Sequence, residues 1–406
     1  MRSGQAGCGV RYAVKRGGSA VAYCSLSIRC GTRFEGEGPL GLSHFVEHTL
    51  FKGTARRSAA RINSYLDRLG GELNAFTTKE EIVLHATVLK EDLPKAVGLL
   101  LELASCPTFP EAEIAKERGV VIEEIKSYKD SPADDIYDRF EEELFAGHAL
   151  GRPILGTAAS VRHITAAQLR SFVEEHFTAD RMALCVVADQ DEARLERMLE
   201  RMLGRYPFRT ALSPDVLVAP VPCRFDRTVE GRHHEVNAVL GGPAPSLFEE
   251  RERIATVLLA NILGGPAANS LLNSLLREKN GWVYGVECSY TQYRDNGVLA
   301  ISLGCDKSHL ERCLDAVGTV IRRLQREPLS EGRLRAAQKQ LVGQLAVGSE
   351  SGETQCLSMG KSLLAFGAVS SFEEDRAKIA AVTAGELQAL ASALLSEDRL
   401  SRLIYR

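Results

Sequence analysis

The sequence has no excess of one charge: 50 Lys and Arg stand against 53 Asp and Glu, a net charge of −3. Nucleic-acid proteins draw their affinity from surplus positive charge facing phosphate, so this balance argues against that class. No apolar run approaches the roughly 18–20 residues that span a bilayer. The segment from Met1 to Gly18 is basic but lacks the apolar stretch of a secretory signal. None of the ten cysteines forms a CxxC pair, which excludes a zinc ribbon or a thioredoxin-type motif. Their scatter through a long chain fits reduced, mostly buried thiols better than a disulfide frame. There is no GxSxG, so an α/β-type serine hydrolase is unsupported. Gly360-Lys361-Ser362 has the ending of a phosphate loop, but Gln355 stands where its first glycine should be. The expectation is a soluble, unexported, cytoplasmic protein with no nucleic-acid partner and no membrane span.

What is present is a globular composition, 45% apolar over 406 residues, enough for two domains. Ala22, Cys24, Leu26 and Ile28 alternate with Tyr23, Ser25, Ser27 and Arg29, and Ile82, Leu84, Ala86 and Val88 repeat the period of two. Both stretches predict strands with one covered face and one more polar face. Ile62, Tyr65, Leu66 and Leu69 fall at helical spacing before the Gly70-Gly71 stop. A second helix opens at Asp92-Leu93-Pro94, and a third follows Pro110 to about Tyr128. The fold class is therefore α+β, mainly antiparallel sheets with helices packed on one face.

Pro207, Pro214, Pro220 and Pro222 cluster in a stretch without period, which predicts domains over 1–208 and 222–406. The halves read as diverged copies: Leu93 answers to Leu310 and Ile114 to Leu334, at an offset of about 217–220 residues. A residue kept in one copy and replaced in the other is a candidate for function.

His44-Phe45-Val46-Glu47-His48 is the sharpest feature. Residues four apart on a helix share a face, so His44 and His48 can turn nitrogens to one cation, with Glu47 beside them. The order HxxEH reverses the commoner HExxH and is a zinc-peptidase arrangement. The pentapeptide alone also fits a pair of surface histidines with a neighbouring acid. A catalytic zinc needs three protein ligands and an open position. The helix after Pro110 offers Glu117 and Glu124, seven residues apart and so on one face, while Glu123 lies about a hundred degrees away. At the repeat offset Glu124 aligns with Gln344 and Glu117 with Ala337. Glu124 is thus the third ligand and Glu117 a supporting or catalytic acid.

At this point the chain resembles the pitrilysin and insulysin family of zinc metallopeptidases, in the short branch with the mitochondrial processing peptidases. Gly41 through Thr54 matches the family's motif helix, and the family's third ligand, about 76 residues beyond the second histidine, lands on Glu124. The family's further acid lands on Glu117. Gly70-Gly71-Glu72-Leu73-Asn74-Ala75-Phe76-Thr77 is similar to the strand on which the family lays its substrate, which implies that Asn74, Ala75 and Phe76 bind peptide. Leu276 through Tyr284 resembles the segment whose Arg and Tyr reach toward substrate, implying that role for Arg277 and Tyr284. One departure stands upstream: Asn269-Ser270-Leu271 replaces the family's Ser-Arg-Leu step.

The resemblance implies one zinc per chain and hydrolysis of unstructured peptides or signal-type segments by metal-activated water, with Glu47 as general base. It implies a chamber formed by two chains, expected as a homodimer, with a heterodimer containing a motif-less paralogue as the alternative. A non-catalytic binding or structural subunit is the reading from another class. Among the other candidates, His233-His234-Glu235 is read as structural, because adjacent histidines point apart. His85 is expected on the less covered strand face, and His148, His163, His176 and His309 have no ligand-spaced partner.

Overall fold

A computed structural model describes residues 1–206, 208–211, 217–231 and 235–406. Pro207, Pro214 and the His233-His234 pair lie outside the described residues. Two compact units emerge: Met1–Lys126 with Arg152–Val216 and Val347–Ser370, and Ser127–Gly151 with Leu217–Ala346 and Ser371–Arg406.

The first unit holds β1 (Arg2–Gln5), β2 (Arg11–Arg16), β3 (Val21–Ile28), β4 (Glu72–Thr77), β5 (Ile82–Leu89) and β6 (Met182–Ala188). They form one sheet in the order β1-β2-β6-β3-β5-β4, with β2 and β6 parallel and every other pair antiparallel. The second unit holds β7 (Asp226–Val229), β8 (Val236–Ala244), β9 (Val283–Gln292), β10 (Gly297–Cys305) and β11 (Ser401–Tyr405), ordered β7-β11-β8-β10-β9. Here β7 and β11 are the parallel pair. The order β2-β6-β3-β5-β4 and its single parallel step are therefore repeated strand for strand. The architecture is α+β, as the alternating patterns predict.

In the first unit Ala22, Cys24, Leu26 and Ile28 of β3 and Ile82, Leu84, Ala86 and Val88 of β5 are all buried. They face the helix Leu93–Ser105, whose Ala96, Val97 and Leu100 complete the layer. Each Leu, Ile and Val among them contributes roughly 1.5–3 kcal/mol by leaving water, and the smaller alanines less. The opposite face departs from the expectation of helices on one side only. Ser25 and Ser27 are buried too, beneath the helix Gly352–Phe366, which packs on β3 and β6 through Cys356, Met359, Leu363 and Leu364. Small side chains, not solvent, explain the polar look of that face: a Cβ at Gly360 would meet Ser27 Oγ at 2.4 Å. The second unit does the same with the helix Pro132–Leu144, which lies on β8 and β11. Each unit is thus completed by a segment from outside its main stretch of sequence, where the sequence division at 208/222 has contiguous halves.

Two elements of the first unit carry the candidate site. The motif helix, Leu42–Leu50, starts after Gly41 at φ 80°, and a Cβ there would meet Leu155 O at 2.6 Å and Gly156 Cα at 2.8 Å. Gly41 has no side chain to cap the helix. The buried Glu35 carboxylate takes that place, accepting from Ser43 N at 3.0 Å and Ser43 Oγ at 2.9 Å. The long helix, Glu111–Lys129, buries Ile114, Glu117, Val121 and Ile125 along one stripe at helical spacing.

Just ahead of Glu35, Phe34 touches His176, which is buried against Phe172 and accepts at Nδ1 from Arg181 at 2.5 Å. Burial, reinforced by the Arg181 charge, lowers the His176 pKa to about 4. The folded form is therefore neutral, while the unfolded chain takes up its proton near pH 6.5. Stability attributable to this group is lost as pH falls from 6.5 to 4 and is level outside that window, with an upper bound on the order of 3 kcal/mol. Urea unfolding of metal-free wild-type and His176→Gln proteins across this range checks it. The wild type is expected to lose more stability on acidification, and parallel curves would refute the assignment.

Candidate metal centre

His44 and His48 sit one turn apart on the motif helix with ring centroids 4.6 Å apart. Glu124, from the long helix, reaches both: Oε1 lies 3.7 Å from His44 Nε2 and Oε2 lies 3.3 Å from His48 Nε2. The three candidate ligand atoms lie within 4.8 Å of one another. Tetrahedral zinc with bonds of roughly 2.1 Å sets its ligands about 3.4 Å apart, so this donor set fits that ion. Glu123 points elsewhere, exposed and paired with Lys126 at 2.6 Å.

Glu117 is buried beneath this group and bonds His48 Nδ1 at 2.9 Å through Oε1, while its Oε2 takes Lys52 Nζ at 2.7 Å. A carboxylate on the far nitrogen fixes the ring's orientation and raises its basicity as a ligand. With Nε2 turned to Glu124, the other nitrogen of His44, Nδ1, is buried without a partner.

Without metal the two rings are driven apart electrostatically. Burial, with the nearby His48, lowers His44 to about 4, so its lone pair is free at neutral pH. Burial also acts to lower His48, but hydrogen bonds to Glu117 and Glu124 outweigh it and raise the group to about 9. Glu124 is held below the usual carboxylate range chiefly by His48. Glu117 is pushed up by burial but brought below that range by His48 and Lys52 together. A proton on His48 and a cation at Nε2 compete for one site, so metal affinity depends on pH.

Glu47 faces the same space. Its Oε2 accepts from Thr77 Oγ1 at 2.6 Å, and burial raises its pKa against that bond. Thr77 ends β4, the outermost strand of its sheet. Asn74 and Phe76 of β4 are exposed and Ala75 is half-buried. Asn74 stands opposite His85 in register. His85 bonds Glu353 at 3.1 Å on the second helix-covered face.

The structure therefore brings His44, Glu47, His48, Glu117 and Glu124 together, with β4 alongside. Arg277 and Tyr284 belong to the second unit. Arg277 is exposed on the π-helical segment Asn273–Lys279, and Tyr284 is exposed on β9, its hydroxyl donating to Asp306 Oδ1 at 2.9 Å. Sequence reading missed Lys52 and Thr77 as partners of the site. Lys52 follows His48 by four residues, a signal available from helical spacing. Thr77 comes from a distant strand and has no local signal.

Similarity to known families covers two successive stretches of the chain. Residues 12–158 match the insulinase peptidase family M16, and residues 163–341 match the M16 inactive domain. A protein of Bacillus subtilis named as an uncharacterized zinc protease is 30% identical over 93% of this chain and 91% of its own length. One of Mycobacterium tuberculosis, also named as an uncharacterized zinc protease, is 33% identical over 90% and 84%. Among solved structures, an M16 inactive-domain protein from Pseudomonas fluorescens superposes with a TM-score of 0.90 over 100% of this chain and 97% of that one, at 20% identity. A protease from Helicobacter pylori gives 0.89 over 100% and 99%, at 18% identity.

Removing the Glu117 carboxylate in Glu117→Ala is expected to weaken zinc binding by about 10–100-fold. Competition against a chromogenic chelator measures this, and an unchanged affinity would contradict the role given to Glu117.

Proposed function

The chain belongs to the insulinase family of peptidases, M16, and from that premise we propose that it is a zinc-dependent endopeptidase acting on unstructured peptides or signal-type segments. One observation carries the reading: two imidazole nitrogens and a carboxylate oxygen converge within 4.8 Å, with Glu47 beside them and joined to an edge strand. His44, His48 and Glu124 would hold the zinc. When bound, zinc polarises the scissile carbonyl and lowers the pKa of water to about 7.

The remaining work falls to the chain's own residues. Thr77 donates to Glu47 Oε2 and fixes that carboxylate, which leaves Oε1 to take the proton of the attacking water. The same carboxylate then returns it to the leaving amine. Burial, which raises the Glu47 pKa, makes that proton easier to hold. Among the described residues β4 pairs on one side only, with β5. An extended peptide adds to its open side by backbone hydrogen bonds, running alongside Asn74, Ala75 and Phe76. Pairing of this kind selects extended conformation over sequence, which is why unstructured peptides are the expected substrates. Glu117 holds His48 and Lys52 holds Glu117, so both serve as positioning residues.

Arg277 and Tyr284 complete the proposal as donors to the substrate carbonyl and to the oxyanion that forms on attack. We assign them to the zinc centre of a second copy, giving a homodimer with two shared sites. The scattered thiols support a reducing, cytoplasmic location, and no helix is long and apolar enough to cross a membrane among the described residues. The non-catalytic reading has less support, because the acids of the site are intact.

Glu47→Gln is expected to retain zinc and lose peptidase activity by at least about a hundredfold, the usual worth of a general base. Full activity in that variant would sink the mechanism. Mixing Glu47→Gln with Arg277→Ala protein is expected to restore cleavage above that of either parent. A mixture no more active than its parents would argue against sites shared between chains.

A further inference from the structure

The second unit contains a cleft of about 380 Å³ that the reaction above does not use. That volume lies within the range of small-molecule sites. The cleft is lined from the helix Glu250–Gly264, the turn after it, the segment Asn273–Lys279 and the helix Glu331–Gly348. Ile262, Leu271, Leu275 and Leu329 make its apolar wall.

Among the described residues its charged groups are Lys279 and Arg333, and no Asp or Glu lines it. Neither cation has an ion-pair or hydrogen-bond partner among the described residues. Neighbouring arginines do: Arg335 bonds Glu331 at 3.2 Å and Arg323 bonds Glu327 at 3.3 Å. Asn269 donates to Gln340 Oε1 at 2.9 Å, which leaves the Gln340 amide nitrogen as a further donor on the cleft wall.

The place of this cleft in the repeat is informative. At the offset of about 220 residues, Glu117 answers to Ala337 and Glu113 to Arg333. Ala337 lines the cleft, so a methyl group stands where the first unit has a carboxylate, and an acid on the same helix has become a cation. On this stretch of helix the second copy thus carries a methyl group and a cation where the first carries two acids. Asn269, Ser270 and Leu271, which also line it, are the residues at which the sequence departs from the family's Ser-Arg-Leu step.

We propose that this cleft binds the free α-carboxylate end of a peptide whose last side chain is apolar. The guanidinium of Arg333 can take a carboxylate through two parallel N–H bonds, and Lys279 adds a point charge. The apolar wall takes the terminal side chain. Peptide as the source of the carboxylate rests on the peptidase reading; the anion chemistry does not. Hydrolysis creates one new α-carboxylate per bond cut, so the reaction itself supplies such ends. Both cations are exposed, and binding therefore weakens with salt.

The test is calorimetric titration of full-length Glu47→Gln protein with one unstructured peptide ending in Leu, as the free acid and as the C-terminal amide. The acid is expected to bind about tenfold more tightly, the worth of one charge-assisted hydrogen bond. That advantage should disappear in the variant that also carries Lys279→Ala and Arg333→Ala. Equal binding of acid and amide would overturn the proposal, as would an advantage that survives the double substitution. Hexanoate is expected to bind more weakly than the peptide acid, and hexanoate binding as tightly would overturn the peptide as the source. Turnover does not enter this readout, so failure of the cleft and failure of the peptidase reading are separate results.

Discussion

The bond between Glu117 and His48 is the join on which the centre depends. It links two helices from separate stretches of chain, and it does so through a buried carboxylate stabilised by His48 on one oxygen and Lys52 on the other. For a single buried acid between two cationic partners, those partners offset the desolvation penalty that an isolated one would carry in full. Its consequence is orientation: with Nδ1 engaged, His48 presents Nε2 toward Glu124, and His44 one turn earlier presents the same atom. Glu47, on the intervening turn, is held by a different strand through Thr77. Three elements therefore fix the side chains that must act on one small volume, and none of them is a free loop.

The duplicated frame explains how such a site is supported and why one copy has it. Both units repeat the same five-strand order, and both bury the second face of their sheet under a helix from elsewhere in the chain. Covering both faces makes the sheet stiff, and it leaves the edge strand as the place where an extended peptide can still pair. In the first copy the long helix carries Glu117 and Glu124 toward the motif helix. In the second the same helix carries Ala337 and Gln344, and the space it borders is a cleft flanked by cations.

Much of this was legible from short-range patterns. The i,i+4 spacing of His44 and His48, the seven-residue spacing of Glu117 and Glu124, and the alternation along β3 and β5 each report on which side chains share a face. Their geometric outcome follows from helix and strand periods alone. What was not legible depended on partners distant in sequence. Thr77 meets Glu47 only once β4 lies beside the motif helix. Glu35 caps a helix that opens seven residues later. Ser25 and Ser27 look solvent-facing in the alternation, yet small size rather than polarity suits them to the close approach of Gly360. The exchange of helical segments follows from that complementarity, which no local period encodes.

The central claim is that His44, His48 and Glu124 hold a zinc ion on which peptide cleavage depends. The most direct measurement is cleavage of a mixed pool of unstructured peptides by purified protein before chelation, after chelation and after stoichiometric zinc is returned. The account predicts cleavage that is abolished by the chelator and restored by zinc. Cleavage that persists in protein shown by elemental analysis to be free of metal would contradict it.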